Sequence, residues 1–277
     1  VSAADAAPAN ATPARRAPSD APFFVALGVL GGVYLLLIVG MLAADALITL
    51  APGVWDGLDN PNIRSAIWLS LTSSTASAIL SVWSAVPLGY LLSRFTFPGK
   101  RLVDALLDVP IVLPPLVIGL SLLLLFETVP RLLLREAPFH VAYTTPGVVL
   151  AQYAAACAFA VRAMRVTFDQ IPRRREDVAM TLGCSRGQAF WRVALPEARR
   201  GVVAAFTLAW ARSLGEFGPV MVFAGAMPAR TEVMATTVFL ELSVGRLKTA
   251  VAVSLLMVLA AVVVLIILRV AGGDKAR

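Results

Sequence analysis

Two cysteines and one histidine are the only thiol and imidazole groups among 277 residues, and just 15% of the chain is charged. Cys157 lies in an apolar run and Cys184 in a basic stretch, which gives neither a disulfide framework nor a metal-ligand spacing. The lone His140 excludes a multi-histidine metal site and leaves little from which to build a histidine-based triad. The phosphate-cradling pattern G-x-x-x-x-G-K-[ST] is missing too. The one Gly-Lys, Gly99-Lys100, runs on into Arg101 and lacks the upstream glycine. No G-x-S-x-G nucleophile elbow is expected. The expectation is a non-catalytic chain with no cofactor of its own.

Apolar residue is what the chain has in excess. It is 58% hydrophobic with a mean hydropathy of +0.80, against about 45–50% apolar in ordinary soluble domains. Residues 21–44, 65–93, 141–161 and 249–268 contain no Asp, Glu, Lys or Arg, giving runs of 24, 29, 21 and 20 residues. At about 1.5 Å of rise per residue, some 20 residues cross a hydrocarbon core of about 30 Å. Open backbone cannot face lipid, so such runs must be helical. The chain reads as an all-α membrane protein.

Six spans are expected, at about 23–46, 65–93, 102–126, 146–168, 201–225 and 247–269. The third begins among Asp104 and Asp108, and the fifth carries Arg212 and Glu216. Residues 1–20, rich in Ala and Pro, read as a disordered tail. The apolar stretch after them exceeds the usual ~7–15 residues of a leader, so a retained first span is expected. The remainder, 21–277, forms one transmembrane domain. A net charge of +7 would suggest nucleic acid in a soluble protein, but here the charge sits in loops. One set of flanks holds 17 Lys and Arg and the opposite set 6, which predicts both termini in the cytoplasm.

Residues 169–200 form an unusually long connection, since loops between neighbouring helices are mostly short. Apolar residues recur at Val178, Leu182, Ala189 and Val193, with Phe190 and Trp191 adding bulk. Gly183 interrupts the pattern and Pro196 is expected to stop it. Two short amphipathic helices joined at Gly183-Cys184-Ser185 are predicted. The acidic pair Glu176 and Asp177 suits the positive end of the first helix's dipole. Leu182 and Phe190 would supply an exposed apolar anchor. Such a face could dock on a partner or lie on anionic lipid, aided by Arg173 to Arg175.

At this loop the sequence resembles a known family. Glu176-Asp177-Val178-Ala179-Met180-Thr181-Leu182-Gly183, followed by Val193-Ala194-Leu195-Pro196, looks like the signature of ABC importer permease subunits. The family pattern is Glu-Ala-Ala, three residues, Gly, then Leu-Pro. Aligned on Gly183, its first three positions fall on Asp177, Val178 and Ala179, so two of the three depart. Asp108-Val109-Pro110-Ile111-Val112-Leu113-Pro114-Pro115 and Arg212-Ser213-Leu214-Gly215-Glu216-Phe217-Gly218-Pro219 are similar to the third and fifth spans of molybdate, tungstate and sulfate permeases. The resemblance implies a type I ABC importer permease fold in the inner membrane, with six spans and a cytoplasmic coupling-helix loop. It implies a cytoplasmic ATPase dimer that holds ATP and Mg, a second permease copy, and a periplasmic or extracellular binding protein. The implied cargo is molybdate or tungstate, with sulfate or thiosulfate as the alternative. Carried over, the docking residues are Glu176, Asp177, Ala179, Leu182, Gly183, Ser185 and Arg186.

The remaining motifs have readings of their own. Prolines 110, 114 and 115 delete backbone donors and kink or unwind a helix, which lipid tolerates only beside protein or a watery cavity. Pro114 and Pro115 are thus candidates for the path, or for a kink that merely helps packing. Arg212 and Glu216 stand at i and i+4 and can pair, as a gate or as a self-neutralised structural pair. The hydroxyl row of the second span, Thr72 to Ser84, suits close helix packing better than a pathway. An ion-coupled carrier would need more intramembrane ionisable groups, and would leave the long loop unexplained.

Overall fold

A computed structural model describes residues 21–50, 55, 59–130 and 140–271, and among them every regular element is helical. The expected tail at 1–20 lies outside the described residues. The chain divides into two units, residues 1–44 and 45–277. The first unit contributes most of α1 (Ala21–Thr49), a helix without a charge before Asp45.

The second unit begins with α2 (Pro61–Arg94). Its start is written locally: the Asn60 side chain accepts from the Asn62 N–H at 3.0 Å, and Pro61 occupies the first turn. Next come α3 (Lys100–Val112) and α4 (Pro115–Leu123), the latter running on through a wide π turn, Leu124–Thr128. α5 (Thr145–Gln170) is capped by Thr144, whose hydroxyl accepts from the Gly147 N–H at 3.3 Å. Then follow α6 (Arg174–Thr181), α7 (Arg186–Ala189), α8 (Arg199–Leu214), α9 (Met234–Ser243) and α10 (Leu247–Ala271).

Four helices are long and apolar enough to cross a membrane: α1, α2, α5 and α10. The α3–α4 pair makes a fifth if it counts as one span, but its halves meet at 111° across Leu113 and Pro114. The sequence predicts a span over about 201–225, with Gly215 and Gly218 allowing a close approach or a hinge; the observed helix ends at Leu214 and resumes only at Gly218. Prolines at 114, 115 and 219 and glycines at 215 and 218 account for both breaks, because neither residue sustains a helix interior. The short helix α9, between the fifth and sixth predicted spans, has no counterpart in the sequence reading.

The core is the α2–α5–α8 trio, closed by small side chains. A Cβ on Gly89 of α2 would stand 2.8 Å from the Met164 Cβ and 2.9 Å from the Arg165 N of α5. Ser77 of α2 meets Ser213 of α8 hydroxyl to hydroxyl at 2.9 Å. Ser70 accepts from the Met234 N–H at 2.7 Å, and Thr75 accepts from the Trp210 Nε1–H at 3.1 Å. The hydroxyl row therefore knits helices together, as membrane packing requires. Toward one end the trio is filled by Leu92, Met164 and Phe168. That end carries the 174–197 elbow.

Candidate functional site

The elbow is written in local backbone chemistry. Past Thr181 the chain closes a Schellman turn: the Cys184 N–H reaches the Ala179 carbonyl at 3.0 Å, and the Gly183 N–H reaches that of Met180 at 3.0 Å. Gly183 takes φ +93°, with open space where a Cβ would point. The demand for glycine here is conformational, not steric crowding. Ser185 then starts α7 with a capping box: its hydroxyl accepts from the Gln188 N–H at 3.3 Å, and the Gln188 side chain accepts from the Ser185 N–H at 2.9 Å.

Beyond α7 the chain does not stop at Pro196. It widens into a π turn over Phe190–Ala194 and continues through Leu195–Glu197 toward α8. The wider turn absorbs the missing proline N–H, so the expected stop is corrected to a bulge.

Two predicted roles are also corrected by burial. Glu176 was expected on the docking surface, yet it is 6% exposed. Its carboxylate accepts from the Arg94 Nε at 2.7 Å and from the Tyr90 hydroxyl at 2.6 Å. Arg94 also donates to the Ile171 carbonyl at 2.9 Å, and Ser93 donates to Asp169 at 2.6 Å. Phe190 was expected as an exposed anchor; it is half-buried, with its ring 4.6 Å from that of Tyr90. Both residues fasten the elbow to α2. Tyr90 and Arg94 were not singled out from sequence, because 82 residues separate Arg94 from Glu176 and no local pattern joins them.

The tip presents the remaining predicted residues. Leu182 is 81% exposed; Asp177, Gly183, Ser185 and Arg186 are exposed as well, while Ala179 faces inward. The Arg186 guanidinium lies 5.2 Å from the Phe95 ring centre, at the end of α2. Gly183-Cys184-Ser185-Arg186-Gly187 does spell the G-x-S-x-G pattern of a nucleophile elbow. That motif needs a strand-to-helix turn, and here it joins two helices with the serine spent on a cap.

The two helix breaks meet each other. A Cβ on Gly119 of α4 would stand 2.9 Å from the Pro219 Cα, and one on Gly218 would stand 2.9 Å from the Pro115 Cβ. Pro115 and Gly218, one from each motif, are thus direct neighbours. Arg212 and Glu216 do pair, with Glu216 1% exposed and the Arg212 side chain 30% exposed. The Arg212 guanidinium also lies 5.6 Å from the ring centre of Phe159 on α5. No cluster of three or more metal-ligating side chains occurs among the described residues.

The family model described as binding-protein-dependent transport system inner membrane component matches residues 85–272. The molybdenum transport system permease protein ModB of Mycobacterium tuberculosis is 34% identical over 251 residues, covering 90% of this chain and 94% of that one. The sulfate transport system permease protein CysT of Escherichia coli is 34% identical over 190 residues, covering 68% and 69%. The molybdate/tungstate permease protein WtpB of Thermococcus kodakarensis is 36% identical over 167 residues, covering 60% and 63%. Among solved structures, a chain of a bacterial ABC transporter that imports alginate superposes with a TM-score of 0.74 at 14% identity, covering 93% of this chain and 98% of that one. A chain of the MetNI methionine ABC transporter gives 0.58 at 18%, covering 76% and 95%. At such identities the likeness concerns the fold.

Proposed function

We propose, from the premise that this chain belongs to the family of binding-protein-dependent transport system inner membrane components, that it carries a tetrahedral oxyanion across the inner membrane. Molybdate or tungstate is the first choice of cargo and sulfate the second, since at the same 34% identity the molybdenum relative matches over 90% of this chain and the sulfate relative over 68%. Six spans, two of them broken, bring both termini to the cytoplasm. A second copy completes the path, a binding protein outside delivers the cargo, and a separate ATPase pair holds ATP and Mg. This chain supplies conduit and lever, not catalysis.

The observation that carries the reading is the asymmetry of the elbow. Its base is locked by a buried ion pair, while its tip offers Leu182 at 81% exposure. An exposed leucine on a rigid turn is suited to a hydrophobic groove in a partner, and the rigid base passes displacement into α2 and α5. ATP-driven closure of the ATPases would move the elbow and swing the spans between inward- and outward-open states.

Co-purification tests this. Leu182→Asp is expected to abolish recovery of the ATPase with the tagged permease, while the permease itself remains in the membrane. Retention of the ATPase by this variant would remove Leu182 from the docking surface, and uptake into vesicles without any ATPase would overturn the reading in favour of an ion-coupled carrier. Calorimetry of the cognate binding protein with molybdate, tungstate and sulfate ranks the cargo.

A further inference from the structure

α3 is attached unusually. It has no fully buried residue; Val103 and Leu107 are only partly covered. What binds it to α5 is a ladder of two ion pairs. Arg165 donates to Asp104 at 2.6 Å, and Arg162 grips Asp108 through bonds of 2.7 and 2.6 Å, a two-point fork. Both carboxylates belong to α3 and both guanidiniums to α5. Asp169 stands 3.9 Å from Arg165 on the same helix, already engaged by Ser93.

These arginines are not core groups. The side chains of Arg162 and Arg165 are 62% and 37% exposed. Arg162 precedes the end of α5 by eight residues, about 12 Å at ~1.5 Å per residue. One turn deeper is Phe159, under the guanidinium of Arg212. The uncharged run of α5 ends at Val161, and a charge facing hydrocarbon is costly. Arg162 and Arg165 therefore stand on the charged flank of this span, toward water or protein.

Resting on the permease reading above, the geometry points to an oxyanion site on α5, formed by Arg162 and Arg165 and masked by the carboxylates of α3. The ligand class is a doubly charged tetrahedral oxyanion, because a guanidinium presents paired donors that match two oxygens of such an anion as well as they match a carboxylate. Asp104 and Asp108 are the competitors. α3 is hung between Gly99, at φ +84°, and the break at Leu113 and Pro114, so it can swing as a strap. One movement of α3 uncovers both arginines, and its return displaces the anion. Conduction needs that alternation, since a permanently bare arginine pair would hold its cargo.

The test uses the whole complex of permease, ATPase and binding protein in vesicles, with radiolabelled molybdate and sulfate as probes. Arg162→Gln with Arg165→Gln is expected to lower uptake at least tenfold while native mass spectrometry still finds two permeases and their ATPases. The swapped variant Arg162→Asp with Asp108→Arg keeps a pair but moves the cation to α3, and it too is expected to lose uptake. Asp104→Asn with Asp108→Asn is expected to retain molybdate at least tenfold more tightly in nanodiscs of zwitterionic lipid. Wild-type uptake by the swapped variant would reduce the pair to a structural bridge and overturn the site. Loss of the second permease on Arg162→Gln would make it an interface between copies. Enhanced retention of anionic lipid rather than molybdate by the Asn variant would assign the arginines to headgroup phosphate. Failure of the wild-type chains to assemble would instead sink the permease reading itself.

Discussion

The elbow at 174–197 and the crossing of the two broken helices are both turns in a helical chain, yet they are held in opposite ways. The elbow's geometry comes from within a dozen residues: a left-handed glycine, a Schellman pair of hydrogen bonds and a capping box. The crossing has almost no local support. Its two breaks persist because Gly119 lets α4 close on Pro219 and Gly218 lets the other strand of chain close on Pro115. The elbow is built locally; a kink in lipid must find its support in a neighbour. Only the base of the elbow breaks this division, since Glu176 depends on Arg94 and Tyr90 from α2.

That exception offers the largest effect. Removing one partner of a buried pair leaves an uncompensated charge and costs about 3–5 kcal/mol. Glu176→Ala is therefore expected to lower the thermal midpoint of the detergent-purified permease strongly. Replacing both partners, Glu176→Met with Arg94→Met, is expected to recover most of that loss. Equal midpoints for the single and double variants would show that the base is not held by this pair.

The crossing comes next. Gly218→Val forces a branched side chain against Pro115, and overpacking of this kind costs about 1–3 kcal/mol. A melting curve reads the loss, and Pro115→Gly in the same chain, which removes the contacted Cβ, is expected to relieve part of it. Absence of any such coupling would separate the two breaks.

The elbow's own turn should show the smallest effects. Gly183→Ala meets the left-handed penalty of about 1–2 kcal/mol, and Gly183→Asn less, because asparagine tolerates that region. Ser185→Ala removes one cap, about 1 kcal/mol. All three are measured as faster amide hydrogen exchange over residues 174–197 of the purified permease. If Gly183→Ala exceeded Glu176→Ala, the contrast between local and distant support would be reversed.

How far the molecule was legible follows the same division. The turn at Gly183, the pairing of Arg212 with Glu216 and the long spans α1, α2, α5 and α10 were all readable, because each depends on neighbours within about four residues or on a continuous apolar run. The fate of Pro196 was misread, since whether a proline ends a helix or widens it depends on what packs beyond. Phe190 was taken as exposed because amphipathic spacing does not say which face is covered. Asp104 and Asp108 blur the start of the third span in the sequence, but nothing in chain order names their partners on α5.

Hydropathy and charge placement alone made this a membrane protein of several helices, and the resemblance carried by residues 176–196 pointed to its family. Those features survive any rearrangement of the helices, because they depend on solvent transfer and on local backbone conformation. How the two broken helices cross, which acid is buried and which carboxylates Arg94, Arg162 and Arg165 meet were settled only when α2, α3, α5 and α8 came together. Such pairings join residues more than fifty positions apart, as Arg162 and Asp108 are, and chain order carries no signal for contacts made through space.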